Sequence, residues 1–431
     1  MLNILLIIIV VLLIISYLMY EKDIFAPPVI LSAVYLISVA SAIFNANLYK
    51  FKDISIETVF IITLGILVFV VTSLLIKQNY MIKEKSFNSL LNQPSLIQIS
   101  RPKLIFAILL SIICTFIYTE TIGNAVNLGQ NMQQYSEAMA EFREDYSYDN
   151  KRLPFYSLQI HKLSRVLAFV FLYVFGYNVA ISRKIWNNAV YLIPVLLFCF
   201  ASLRGANRTP LIQIIIAGVI YWYITKNKIS NKKSHIKLIF SLLFGVCIFF
   251  YIFTLLRPYV GRRNEMDIVN YITFYAGGSI HLFDIFCQNP EESKIFGWET
   301  FAGLYQDLSK IGIYENRIMH MDFREISGVQ MGNIYTAFRT YYQDFGLSGI
   351  VVFQIIQALI YTIWYEKLKQ QPNVQFSFSL VVYGILTLPL FEHSIQEQLF
   401  RNYFCLNTLI VSLLCYVLGR FFITNSAKVK F

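Results

Sequence analysis

The sequence predicts an all-α polytopic membrane protein, and three observations carry that prediction. Of its 431 residues 57% are apolar and only 14% charged, with a mean hydropathy of +0.56; a soluble chain is roughly half apolar and a quarter charged. The apolar residues fall in runs long enough to cross about 30 Å of hydrocarbon as helix. These runs lack period-two alternation, which excludes the closed barrel, the other architecture that satisfies every backbone polar group in lipid.

About eleven spans are expected, near 2–20, 26–45, 56–76, 104–121, 164–182, 188–203, 210–225, 237–256, 345–365, 375–392 and 402–419. The first run, Leu2–Tyr20, has no basic residue before it and no small-x-small cleavage site, so it reads as a retained helix and not a signal peptide. Lysines in the short links, among them Lys77, Lys83, Lys226, Lys232, Lys367 and Lys369, place those links on the cytoplasmic side. With that parity the N-terminus faces out. Residues 1–431 then form one integral membrane domain with two long external segments, 123–163 and 257–344.

The first external segment carries Met132, Tyr135, Met139 and Phe142 at helical spacing among acidic residues, the pattern of an amphipathic helix lying on a membrane surface. The second is large and polar, and is the expected working part. Its stretch 268–287 is moderately apolar but holds Asn270, His281 and Asp284. It reads as an interfacial or re-entrant helix, with an additional span as the alternative.

The net charge of +11 does not point to nucleic acid. The basic residues are scattered over short loops, where anionic head groups account for the inner ones. The six cysteines form no CxxC pair and lie mostly in apolar runs, so neither a metal site nor a disulfide framework is expected. HExxH, P-loop and GxSxG motifs are absent. Asp53 and Glu57 in the first outer loop are not an adjacent acidic pair, which disfavours metal-dependent sugar transfer.

Arginine is distributed unevenly. The inner links use mainly lysine, while Arg143, Arg152, Arg204, Arg208, Arg257, Arg262, Arg263, Arg317, Arg324, Arg339 and Arg401 fall on the outer side. The planar guanidinium suits bidentate contact with phosphate or carboxylate, so the set suggests an anionic ligand; salt bridges to acidic residues of the same loops are the alternative for any one of them. The turn Ser202–Pro210 is too short to leave the membrane surface. It fixes Arg204 and Arg208 near the head groups, with Gly205 permitting a tight turn and Pro210 starting the next helix. At the end of the large loop Arg339 and Asp344 stand just above a span opened by Gly346 and Gly349, either as site residues or as a structural pair. Glu392, His393 and Arg401 sit at the outer end of the tenth span. There His393 could titrate near neutral pH and serve as a base, or be an ordinary interfacial histidine. Aromatics such as Trp298 and Tyr305 could stack on sugars, although an interfacial aromatic belt accounts for most of them.

With this architecture, the stretch Leu203–Pro210 and the string Asn333…Tyr335…Phe338…Tyr341…Asp344-Phe345-Gly346…Gly349, the chain resembles the bacterial oligosaccharide repeat-unit polymerases, the Wzy or O-antigen polymerase family. An Arg-x10-Gly spacing discussed for some members occurs at Arg317 and Gly328. The resemblance implies a fold like that of multi-span polyprenyl-phosphate-dependent glycosyltransferases. It also implies a reaction at the outer face of the bacterial cytoplasmic membrane: a growing glycan passes from undecaprenyl diphosphate to an incoming lipid-linked repeat unit, without a cofactor or metal. In that chemistry Arg204 and Arg208, helped by Arg339 or Arg257, would stabilise the departing diphosphate. His393, Glu392 or Asp344 would orient or deprotonate the acceptor hydroxyl. Arg262 and Arg263, with Arg317 and Arg401, would hold the second diphosphate or an acidic glycan. Expected partners are the lipid-linked oligosaccharides, membrane lipids, a chain-length regulator and a flippase. An O-antigen-type ligase is the nearest alternative, and a polysaccharide transporter or flippase a more distant one.

Overall fold

The computed structural model describes residues 1–46, 53–84, 95–126, 132–147, 153–229, 261, 268–315, 321–326, 329–371 and 374–423. Among these, nine helices are long and apolar enough to cross a membrane, and each corresponds to one of the expected spans. The chain is an all-α polytopic membrane protein. The expected span at 237–256 lies outside the described residues, as do Arg152, Arg257, Arg262, Arg263, Arg317 and Gly328.

The chain divides into two compact units, one made of Met1–Ser89, Met266–Gln370 and Pro389–Leu406, the other of Leu90–Glu265, Gln371–Leu388 and Asn407–Phe431. In the first unit α1 (Leu2–Met19) is apolar all round but divides its faces. Leu2, Leu5, Ile9, Leu12 and Ser16, three or four residues apart, are buried, while Ile7, Ile14 and Leu18 are exposed. An apolar helix with one covered stripe is what a lipid-facing peripheral span requires. Pro27 and Pro28 then open α2 (Pro27–Ala46), where a missing N–H costs nothing. α3 (Ile56–Glu84) follows.

The stretch 268–287 forms α9 (Ile268–Gln288), which packs along α2. At their crossing a Cβ on Gly277 would stand 2.4 Å from the backbone nitrogen of Ala42, so only glycine permits this approach. Asp284 on α9 ties down the start of α3. Its Oδ1 accepts the Ser55 N–H (2.8 Å), the Ser55 hydroxyl (2.7 Å) and the Thr58 hydroxyl (2.8 Å). Next come the short helix α10 (Ala302–Lys310) and an antiparallel hairpin of β1 (Arg324–Ile326) and β2 (Val329–Gly332). The unit's longest helix, α11 (Phe338–Gln370), breaks at Gly346 (φ 61°, ψ −150°), a conformation open essentially to glycine alone.

The second unit is built around α6 (Phe155–Ser182), buried continuously from Val166 to Val174. It packs against α4 (Arg101–Ala125), α7 (Ile193–Arg204) and α8 (Thr209–Ile229). The expected amphipathic helix is present as α5 (Met132–Ser147). Its apolar face does not lie free for a membrane: Met139 and Phe142 are buried with Tyr118, Ile122 and Val126 of the α4 end and Ala201 of α7.

The span expected at 375–392 is instead a short helix, α12 (Phe378–Leu386), followed by the single turn Leu388–Phe391. Proline explains the break. Pro389 has no N–H to give the Ile385 carbonyl, and the side chain of Gln213 supplies the missing donor at 2.8 Å. The last span, α13, is Leu406–Ile423.

Candidate functional site

The loop-bearing end of the first unit gathers Arg339, Asp344, Glu392, His393 and Arg401 from the expected set. After the Pro389 break, residues 392–398 run without helix into a π-turn at Leu399–Tyr403. Glu397 holds that turn: its carboxylate accepts the N–H groups of Phe400 (3.0 Å) and Arg401 (2.6 Å), as a capping side chain does at a helix start.

From Glu397 a continuous side-chain network runs through the unit. Tyr341 donates its hydroxyl to Glu397 (3.0 Å), and Gln357 donates its amide N–H to the Tyr341 oxygen (2.7 Å). That leaves the Gln357 carbonyl as the acceptor facing His393 Nε2 (2.9 Å), while Tyr35 OH lies 3.0 Å from Nδ1. Gln354 Nε2 also lies 3.0 Å from His393 Nε2, and Tyr35 OH donates to the His393 carbonyl at 3.2 Å, so both ring nitrogens are engaged inside the network. Burial depresses the His393 pKa to about 3. The expectation that His393 titrates near neutrality therefore fails, because a buried ring with both nitrogens engaged has no water to stabilise a charge.

Arg401, 4% exposed, is held by Glu299, whose backbone carbonyl lies at 3.0 Å and carboxylate at 2.5 Å. Asp344 in turn accepts the N–H of Glu299 (3.1 Å), the N–H of Thr300 (2.6 Å) and the Ser293 hydroxyl. Asp344 is thus neither the partner of Arg339 nor an open base; it ties the 293–300 turn to the start of α11.

Arg339 is the exception. It is 3% exposed, and among the described residues its one ion-pair partner is Asp322 at 3.4 Å, bonded to Nη2. Nε and Nη1 are buried and have no hydrogen-bond partner among the described residues. The rings of Tyr335 (3.9 Å) and Phe286 (5.0 Å) flank the guanidinium and supply cation–π attraction without accepting a hydrogen bond. Buried donors in native proteins nearly always find acceptors. Two unfilled N–H-bearing nitrogens in one planar fork suit an oxyanion.

The Glu392 segment lies beside Arg339 along the backbone, since the Ala337 N–H donates to the His393 carbonyl at 2.9 Å. One Glu392 oxygen accepts from Gln396 (3.2 Å) and Gln398 (3.0 Å). Burial pushes its pKa up to about 7, and the side chain keeps partial access to solvent. A carboxyl poised near neutral pH can take a proton from a hydroxyl. Glu397 is also pushed up to about 7 by burial, but its oxygens are committed to the π-turn.

The second unit holds Arg204 and Arg208. Arg204 donates to Tyr135 OH (3.0 Å) and faces that ring, and Arg208 is 6% exposed. In the turn between them the left-handed residue is Ala206 (φ 57°), whereas Gly205 has φ −83°. The glycine is needed for space, not for turn geometry: a Cβ there would stand 2.5 Å from the Tyr118 hydroxyl. The Tyr118 ring stacks on His161 at 4.2 Å. One helical turn on, Arg165 donates to Gln213 (2.9 Å), the residue that fills the Ile385 carbonyl.

Sequence reading missed Arg165, Glu299, Gln357 and Glu397. His161 with Arg165, and Gln354 with Gln357, are polar pairs at i,i+4 and i,i+3 spacing within spans, the signal that could have found them. Among the described residues, no group of His, Cys, Asp and Glu is arranged to hold a metal. Compared with protein-family models, curated proteins and solved structures, the chain matches none.

Proposed function

We propose that the chain is a glycosyltransferase of the outer face of the bacterial cytoplasmic membrane, an oligosaccharide repeat-unit polymerase. It would transfer a growing glycan from undecaprenyl diphosphate to an incoming lipid-linked repeat unit. The observation that carries this reading is the buried Arg339 guanidinium with two partnerless nitrogens, backbone-tied to the segment bearing Glu392. In the reaction the acceptor hydroxyl attacks the anomeric carbon and gives its proton to Glu392. The sugar–diphosphate bond breaks, and Arg339 stabilises the charge left on the lipid diphosphate. Arg204 and Arg208 are read as holding an anionic group within their own unit. Arg401 is reassigned from substrate binding to positioning, because Glu299 already occupies it.

Glycan analysis of a deletion strain tests the reading. Loss of polymer with accumulation of single lipid-linked repeats is expected, restored by the wild-type chain and not by Arg339→Ala at equal membrane abundance. Long lipid-linked chains left uncoupled would identify a ligase instead, and repeats trapped on the inner face a flippase. Polymer of normal length in the deletion strain would overturn the proposal.

A further inference from the structure

We propose that the loop segment 293–314 of the first unit is seated in the membrane, its apolar side chains inserted into the leaflet at the level where α11 resumes after Gly346 and the last span begins. The segment exposes Ile295, Phe296, Leu304, Ile311, Ile313 and Tyr314, with Phe296 at 76%, Ile311 at 70% and Ile313 at 60%. The patch is contiguous. Tyr305 donates its hydroxyl to the Phe296 carbonyl (2.5 Å), and its ring meets those of Trp298 and Tyr314, each at 5.0 Å. Exposed apolar groups gathered this way mark an interaction surface.

Two anchors fix what covers it. Gly303 on α10 sits against the backbone carbonyl of Arg401, and Asp307 accepts the N–H of Leu406 (2.7 Å), the first residue of the last span. At the other side Phe296 meets Phe345 at 5.0 Å, just before Leu347 of α11. Leu347 and Leu406 are 43% and 58% exposed, as lipid-facing residues are. The patch therefore continues the lipid-facing surface where α11 resumes after Gly346 and where the last span begins. Its Trp298–Tyr305–Tyr314 cluster is the aromatic composition found where hydrocarbon gives way to head groups, and Lys294 and Lys310 lie beside it, exposed, where anionic head groups would meet them. The occupant that fits is lipid.

The test uses the full chain in vesicles of phosphatidylethanolamine and phosphatidylglycerol, with the photo-crosslinker p-benzoylphenylalanine placed singly at 296 or 313. Both native side chains are exposed, and at 296 the probe keeps an aromatic ring to meet Phe345. Position 352, a lipid-exposed valine of α11, and position 292, an exposed glutamate, serve as references. Lipid adducts at 296 and 313 in yields near that of 352, several-fold above 292, are expected. Yields matching 292, or crosslinks to a second copy of the chain, overturn the proposal.

Discussion

Arg401 and Arg339 are both buried arginines of the same unit, 4% and 3% exposed, yet they are opposites in what surrounds them. Arg401 meets a carboxylate and a carbonyl of Glu299, and its own N–H is taken by Glu397. Arg339 meets two aromatic faces and one exposed carboxylate at 3.4 Å, and keeps two nitrogens unfilled. The first has the surroundings of a structural cross-link between the loop and the π-turn. The second has two buried donors able to bind an oxyanion. Burial alone does not separate the two roles; the partners do.

The largest expected effect breaks the first half of that comparison. Arg401→Ala leaves Glu299 without its cation, and one-sided loss of a buried pair costs about 3–5 kcal/mol. Folded protein after extraction and its unfolding temperature in detergent should both fall sharply. Arg339→Ala should leave both near wild type while polymer synthesis drops by about two orders of magnitude, the usual loss for one donor to a developing oxyanion. Arg339→Lys should fail as well, because an ammonium cannot reproduce the fork; activity in that variant would argue for simple charge attraction. Next in size is Gly346→Ala. At φ 61°, ψ −150° a side chain costs of order 1–3 kcal/mol, seen as a lower unfolding temperature and as loss of activity if the break places Arg339.

The smallest effect sharpens the comparison through pH. Glu392 works as a base only when ionised, so the rate should climb as pH rises through about 7, and Glu392→Gln should remove that limb. Stability moves the other way. A carboxyl whose pKa is raised on folding binds its proton more tightly in the folded chain. Its contribution is complete below the ordinary carboxyl range and is lost as pH rises through about 7. Rate and stability changing in the same direction would exclude Glu392 as the group responsible.

The spans were legible because length and apolarity are one-dimensional properties: nine expected runs correspond to helices of the right kind. The break at Pro389 was legible in principle, since a proline inside an apolar run removes a backbone donor. Partners were not. Asp344 stands five residues from Arg339 and invites pairing, but it turns to the amides of residues 299 and 300, while Arg339 reaches Asp322. Arg401 finds Glu299 across 102 residues of chain. Nothing in local spacing encodes such choices, which depend on how α10 and the π-turn come together. The face of α5 was misjudged for a related reason. An amphipathic stripe declares that it will be covered, and the identity of the cover, here Tyr118 and Ala201 instead of lipid, is a tertiary fact.

The π-turn at Leu399–Tyr403 has one more consequence. Irregular chain leaves amides without helical acceptors, and buried amides need partners from elsewhere. Here Glu397 serves as the solvent: its oxygens take the place of water at the amides of residues 400 and 401, and Tyr341 and Gln357 complete its shell. The stretch can thus leave the helix with these two amides satisfied. Its amides should exchange with deuterium slowly and as a group, and Glu397→Ala should speed them together, as when the last ligand of a small cage is removed.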